Sequence, residues 1–126
     1  MAGPGPGYGK HPDHRVAVAG HAGRVRVYFN GEAVADSRRA VVVRESGYPA
    51  VHYLPRADVR MDLLTPSRHR SRCPFKGEAR YWRLGVGGRA VADAVWAYPE
   101  PYDEVAAIAD CVAFDAAQVD KVEFGD

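Results

Sequence analysis

The chain has 126 residues, with 17 basic and 16 acidic side chains and a formal charge of +1. This length suits one domain that buries a hydrophobic core of its own. A charge so near zero excludes a global field that would attract nucleic acid or an anionic membrane, so we expect neither as a partner.

The amino-terminal residues have the composition of a flexible tail. Residues 1–12 contain four Gly and three Pro and almost no apolar side chains, which is too little burial to offset the entropy of ordering. We therefore expect a tail at 1–12 and a single β-rich domain at 13–126. No window of the sequence approaches 18 consecutive apolar residues, so no membrane span is predicted, and we expect a cytoplasmic location.

Two hairpins of similar sequence dominate the pattern. Residues 31–36 (GEAVAD) return 57 positions later as residues 88–93 (GRAVAD). In both copies a turn pair, Asn30-Gly31 or Gly87-Gly88, separates runs of β-formers, which is typical of a hairpin. The sequence therefore predicts a mainly β fold with two antiparallel sheets that face each other, built from a duplicated hairpin.

The remaining elements follow in chain order. Alternation or short apolar runs predict strands near residues 16–18, 40–43 and 51–53. The polar stretch 65–72 (TPSRHRSR) is typical of an exposed loop. Apolar residues at helical spacing predict one short C-terminal helix at 102–112, and residues 119–124 alternate as an edge strand would.

The second hairpin has two distinguishable faces. Side chains alternate along a strand, so Tyr81 and Arg83 share one face, and Trp82 and Leu84 share the other. The more apolar pair, Trp82 and Leu84, is the expected core face.

A thiol and an amine lie close together in Cys73-Pro74-Phe75-Lys76-Gly77. Positive neighbours favour a thiolate, so Arg72 and Lys76 would make Cys73 a nucleophile, with Lys76 as its catalytic partner. Alternatively, Cys73 is a small buried residue before a rigid turn. The only other cysteine is Cys111; two thiols cannot form a four-thiolate zinc site, and we expect no metal and no cofactor.

Two carboxylates are candidate partners in the same site. Glu45 ends an apolar strand, where a buried carboxylate would need a cation, and Lys76 is the natural choice. Asp58 either caps the turn after Pro55 or orients a polar ligand.

Aromatic residues from three predicted strands could form the walls of a ligand pocket, since flat rings bind sugars, bases and cations through their faces. They are Tyr53, Tyr81, Trp82, Trp96 and Tyr98. Either tryptophan would also serve as core, and we assign Trp96 to the pocket because it shares a face with Tyr98.

Four segments carry a resemblance to a known family: residues 11–14 (HPDH), 53–59 (YLPRADV), 73–77 (CPFKG) and 96–101 (WAYPEP). Together they resemble the domain of unknown function 427 family from about Lys10 to Phe124. The resemblance implies a β-tent, a shape similar to that of methionine sulfoxide reductases and of the drug-binding domain of cereblon. Those folds often hold a zinc on four thiolates, which this chain cannot supply.

Carried over residue by residue, the resemblance implies one pocket formed by the family's polar and aromatic positions. These are Glu45, Tyr53, Asp58, Cys73, Lys76, Tyr81, Trp96 and Tyr98. It implies no established activity.

Three functions stay open from the sequence. The first is a domain that binds a small polar or cyclic molecule between its sheets. The second is a thiol-dependent enzyme that uses Cys73 with Lys76. The third is a protein-interaction scaffold that uses the stretch from Arg68 to Arg72, and the sequence does not predict an oligomeric state.

Overall fold

The structure is a computed structural model that describes residues 2–126, and its main elements are ten β-strands. The strands are β1 (Val16–Gly20), β2 (Arg24–Phe29), β3 (Glu32–Ser37), β4 (Val41–Glu45), β5 (Val51–Pro55), β6 (Leu64–Cys73), β7 (Gly77–Val86), β8 (Arg89–Ala97), β9 (Cys111–Phe114) and β10 (Lys121–Gly125). The helical segments are short: an α-helical turn at Gly7–Lys10 and 3₁₀ segments at Arg56–Asp58, Met61–Leu63 and Asp103–Ile108.

These strands form two antiparallel sheets, as the sequence predicts. The larger sheet has seven strands in the order β1-β4-β5-β9-β8-β7-β6, and the smaller has three in the order β10-β2-β3. The short strand β9 joins the two halves of the larger sheet through two residue pairs with β5 and two with β8. The larger sheet therefore consists of two wings, β1-β4-β5 and β6-β7-β8.

Both predicted hairpins are present, and each belongs to a different sheet. The β2–β3 turn holds Asn30 and Gly31 at φ of 48° and 82°, and the β7–β8 turn holds Gly87 at 61°, conformations that glycine and asparagine adopt at low cost. The Asn30 side chain donates a hydrogen bond to the Val86 carbonyl at 2.8 Å, so the two hairpin ends touch. The origin of the hairpins by duplication stays a prediction.

The main hydrophobic core lies between the two sheets. Val27 and Phe29 of the smaller sheet pack in one buried cluster with Trp82, Leu84 and Val95 of the larger sheet. The assignment of Trp82 and Leu84 to the core face is confirmed. Alternate residues of the larger sheet point the other way, to what we call its outer face, where a second apolar cluster forms.

Two sequence predictions of local structure were wrong. Residues 65–72 belong to strand β6, an edge strand that can be polar because most of its side chains are exposed. The expected C-terminal helix is reduced to the 3₁₀ segment Asp103–Ile108, since Val105 has a non-helical φ of −126°. The apolar run Cys111–Phe114 that follows is wholly buried and forms β9 between β5 and β8.

The amino-terminal segment packs on the turn between β6 and β7. The Gly7 N–H donates to the Pro74 carbonyl at 2.9 Å, and the Tyr8 hydroxyl donates to the Phe75 carbonyl at 3.1 Å. Flexibility of this segment stays a prediction. At the other end, the predicted edge strand is confirmed as β10, which pairs with β2 at the border of the smaller sheet.

Candidate functional site

A cavity of about 640 Å³ opens on the outer face of the larger sheet. Strands of both wings contribute to its wall, and no residue of the three-stranded sheet does. This cavity is therefore not between the two sheets, where we expected the site; a smaller cavity of about 280 Å³ lies there, lined mainly by apolar residues of both sheets. The lining residues are His14, Val43, Glu45, Tyr48, Pro49, Val51, Tyr53, Cys73, Pro74, Phe75, Lys76, Tyr81, Asp93, Trp96, Tyr98 and Asp115.

Seven of the eight positions that the resemblance singles out line this outer-face cavity. They come from β4, β5, the end of β6, the β6–β7 turn, β7, the end of β8 and the residue that follows β8. They are Glu45, Tyr53, Cys73, Lys76, Tyr81, Trp96 and Tyr98.

A chain of polar contacts forms one part of the cavity wall. Lys76 Nζ donates a hydrogen bond to Glu45 Oε1 and lies 3.8 Å from Cys73 Sγ. The other carboxylate oxygen of Glu45 is 2.8 Å from Nε2 of His14, whose ring stacks on Phe75 at a centroid distance of 3.9 Å. Lys76 is only 8% exposed, so its charge needs the Glu45 carboxylate. That carboxylate also compensates the positive charge beside Cys73.

Strand register and one tight turn bring these residues together. In the β1–β4 pair, Val16 stands opposite Glu45, so His14, two residues earlier, reaches the same carboxylate. The β6–β7 turn is closed by a hydrogen bond from the Lys76 N–H to the Cys73 carbonyl at 3.3 Å. Gly77 follows at a φ of 125°, a conformation that residues with a side chain rarely adopt.

Arg72 does not take part in this network, contrary to the expectation that it activates Cys73. Its guanidinium is 3.9 Å from Glu78 and 3.3 Å from the Tyr102 hydroxyl. Arg72 and Cys73 are neighbours on a β-strand, so their side chains point to opposite faces.

The aromatic part of the wall is ordered by hydrogen bonds. The Trp96 indole N–H donates to the Tyr53 hydroxyl at 3.3 Å, and the Tyr81 hydroxyl is 2.7 Å from Oγ of Ser71. Burial raises the pKa of Tyr53 to about 12 and also raises the pKa of Tyr98. Both phenols are therefore neutral at physiological pH and present hydroxyl groups to the cavity.

Two carboxylates that sequence reasoning missed also line the cavity. Asp93 has a φ of 53°, which is a left-handed conformation. It lies at an irregularity in the pairing of β7 with β8, where one residue of β7, Arg83, stands opposite three residues of β8. Its side chain makes no hydrogen bond or ion pair with residues 2–126. Asp115 is nearby, since its N–H donates to the Ala94 carbonyl at 2.8 Å, and its carboxylate accepts hydrogen bonds from Ala117 and Gln118.

Asp58 lies outside the cavity, so it cannot orient a ligand there. Its carboxylate accepts hydrogen bonds from Arg39 and from the Ser37 hydroxyl, the latter at 2.6 Å. These two hydrogen bonds hold the pKa of Asp58 below its usual value, and the one from Arg39 has the larger effect. Asp58 therefore ties the 3₁₀ segment Arg56–Asp58 to the end of β3.

His14, Asp93 and Asp115 are the functional candidates that the sequence alone did not give. The sequence carried a signal for two of them: Asp93 ends the second copy of the repeated segment, and His14 ends the HPDH segment of the family resemblance. His14 and Asp115 are brought in by contacts that are distant along the chain, and local patterns carry no information about such contacts.

Within residues 2–126, no three His, Cys, Asp or Glu side chains are grouped closely enough to hold a metal ion. The same part of the chain contains no helix with the length and apolar character needed to span a membrane.

The fold and the cavity define a mainly β protein with two antiparallel sheets and an aromatic and charged cleft on the outer face of the larger one. A family model described as domain of unknown function (DUF427) matches residues 17–125, and the chain belongs to that family. The match confirms the resemblance carried by the sequence motifs. No curated protein matches the chain.

Proposed function

We propose that the chain binds a small molecule with a flat ring and a positive charge in the outer-face cavity. The supporting observation is the combination of aromatic walls with an excess of carboxylates. Three carboxylates, Glu45, Asp93 and Asp115, line the cavity against the single ammonium of Lys76.

The size and the rings of the cavity suit such a ligand. A volume of about 640 Å³ lies within the range of about 300–1,000 Å³ that is typical of small-molecule sites. Trp96 and Tyr81 are only partly buried, so their rings are accessible from the cavity. Aromatic faces attract cations through the quadrupole of the ring.

Asp93 is the residue that selects for charge in this proposal. Glu45 is neutralised by Lys76, and Asp115 is occupied by Ala117 and Gln118, so Asp93 has the free acceptor oxygens. A left-handed conformation in a non-glycine residue carries a cost that often accompanies function. A ligand cation placed over the Trp96 ring would gain a counter-charge from Asp93.

The test is a calorimetric titration with three probes that share a benzene ring: benzyltrimethylammonium, benzyl alcohol and benzoate. We expect saturable binding of the cation in preference to the neutral and anionic probes. Asp93→Asn should weaken cation binding by about fivefold to tenfold, the value of one near-surface charge interaction, and leave benzyl alcohol unaffected.

The Asp93→Asn variant keeps the backbone, since asparagine tolerates the left-handed conformation as aspartate does. Asp62→Asn is the matched control, because it removes the same charge from an exposed pair with Arg60. Equal weakening in the control, or tighter binding of benzoate than of the cation, would contradict the proposal.

A second candidate function is thiol chemistry at Cys73, which is favoured by the 3.8 Å contact between its sulfur and Lys76 Nζ. Cys73 is partly buried and unpaired, as is the buried Cys111, and free thiols are typical of the cytoplasm, which we propose as the location. Alkylation by iodoacetamide at neutral pH tests the candidate. Reaction of Cys73 no faster than free N-acetylcysteine would reject it.

A further inference from the structure

We propose that a second cavity, at the open edge of the larger sheet, binds the phosphate group of a small phosphorylated compound. This cavity has a volume of about 240 Å³. Its walls include three arginines, Arg56, Arg70 and Arg80, together with Ser67 and the ring of Trp82, and no carboxylate of residues 2–126 lines it. We call it the arginine cavity.

The first argument is an unfavourable pair of like charges. Arg70 of the edge strand β6 stands directly opposite Arg80 of β7, and like charges at such positions are destabilising. Glu78 offsets part of this charge through a contact of 3.2 Å with Arg80 Nε. Within the described part of the chain, Arg70 donates only to the backbone carbonyls of Ser67 and His69.

The second argument is the position of Arg56. It comes from a different element, the 3₁₀ segment Arg56–Asp58, and its guanidinium lies 5.1 Å from the centroid of the Trp82 ring. The Nε atom of Arg56 is buried without a hydrogen-bond partner, and the side chain makes no ion pair with residues 2–126. A buried donor that is left without a hydrogen-bond partner is destabilising.

Edge-strand protection explains only part of this arrangement. Charged residues on β6 prevent pairing with another chain, and the exposed side chains of Arg68 and Arg72 fit that role. It does not explain why Arg56 is brought from another element to stack on Trp82 beside Arg70 and Arg80. An anion that accepts hydrogen bonds from all three guanidinium groups would offset the repulsion between them.

The donor geometry favours phosphate among the anions. Guanidinium groups are planar forks that match the oxygens of phosphate, and one carboxylate would not occupy three of them. The Ser67 hydroxyl accepts the His69 N–H at 3.0 Å and keeps its own proton to donate. The cavity volume leaves room for the phosphate and a small part of the molecule that carries it.

The experiment uses the full chain and three probes at constant ionic strength: inorganic phosphate, adenosine monophosphate and adenosine. The readouts are the Arg56 Nε–H and Trp82 indole N–H signals in ¹H–¹⁵N spectra. We expect saturable shifts of both signals with the phosphate-bearing probes and none with adenosine. Arg56→Gln and Arg70→Gln should each weaken binding by about tenfold or more, as expected for a lost hydrogen bond between charged groups.

The exposed Arg44→Gln is the matched control, since Arg44 lines neither the arginine cavity nor the outer-face cavity. Arg70→Gln keeps the test valid if Arg56→Gln disturbs Trp82, because Arg70 is an exposed residue. Tighter binding of adenosine monophosphate than of inorganic phosphate would assign an organic phosphate, and equal binding would assign the free ion; both uphold the site. Equal weakening by Arg44→Gln, or equal binding of adenosine, would overturn the proposal.

Discussion

Replacing Glu45 with Gln should destabilise the fold because it leaves a buried ammonium without its counter-charge. The side chains of Glu45 and Lys76 are each only 10% exposed, and His14 would also lose its carboxylate partner. Removing one partner of a buried ion pair costs about 3–5 kcal/mol, and we expect the lower end, since the Gln amide still accepts one hydrogen bond. With a slope of about 1–3 kcal/mol per molar urea, the unfolding midpoint should fall by roughly 1–3 M.

A double variant separates this charge effect from a loss of packing. Lys76→Met added to Glu45→Gln removes the unpaired charge, so the double variant should be more stable than Glu45→Gln alone. Asp62→Asn, in the exposed pair with Arg60, serves as the control and should barely change the midpoint. An unchanged midpoint for Glu45→Gln, or additive losses in the double variant, would refute this reasoning.

Three further predictions follow from single features. Burial and the neighbouring His21 lower the pKa of His52 below 6.5, so the unfolded chain binds a proton more readily than the folded chain does. The free energy of unfolding in urea should therefore fall as the pH drops below 6.5. If His52→Asn showed the same dependence of stability on pH as the unmodified chain, this reasoning would be contradicted. Gly77→Ala should lower stability by about 1–3 kcal/mol, since φ is 125° and its Cβ would lie 3.2 Å from the Glu100 carbonyl oxygen; an unchanged thermal midpoint would argue against it. Leu84→Ala, at a fully buried core position, should cost about 2–5 kcal/mol yet leave probe binding in the outer-face cavity intact, and lost binding in the folded variant would show that the two faces are coupled.

Local patterns predicted the fold well wherever one face of a strand is buried and the other is not. The alternation of Tyr81 with Trp82 assigned both faces of β7, because Trp82 packs between the sheets while Tyr81 lines the outer-face cavity. The same signal is absent from β6, where neither face is well buried, and that strand was mistaken for a loop. In β9 both faces are buried, so its short apolar run did not distinguish strand from helix.

The candidate site was predictable only where its residues cluster along the sequence. The nearness of Cys73 and Lys76 is local, and the pairing of Lys76 with Glu45 followed from the need to neutralise a carboxylate at the end of a buried strand. The approach of His14 to Glu45 depends on the register between β1 and β4, which a single sequence does not specify. The position of Asp93 depends on an irregularity in the pairing of β7 with β8, which no local sequence motif predicts.

The most direct test of the proposed binding function compares the two indole N–H signals in ¹H–¹⁵N spectra during a titration with benzyltrimethylammonium. Trp96 lines the outer-face cavity, whereas Trp82 belongs to the core between the sheets and borders the arginine cavity. We predict a saturable shift of the Trp96 signal, with the Trp82 signal unchanged. A shift confined to Trp82, or no saturable shift of either signal, would contradict a cation-binding site on the outer face of the larger sheet.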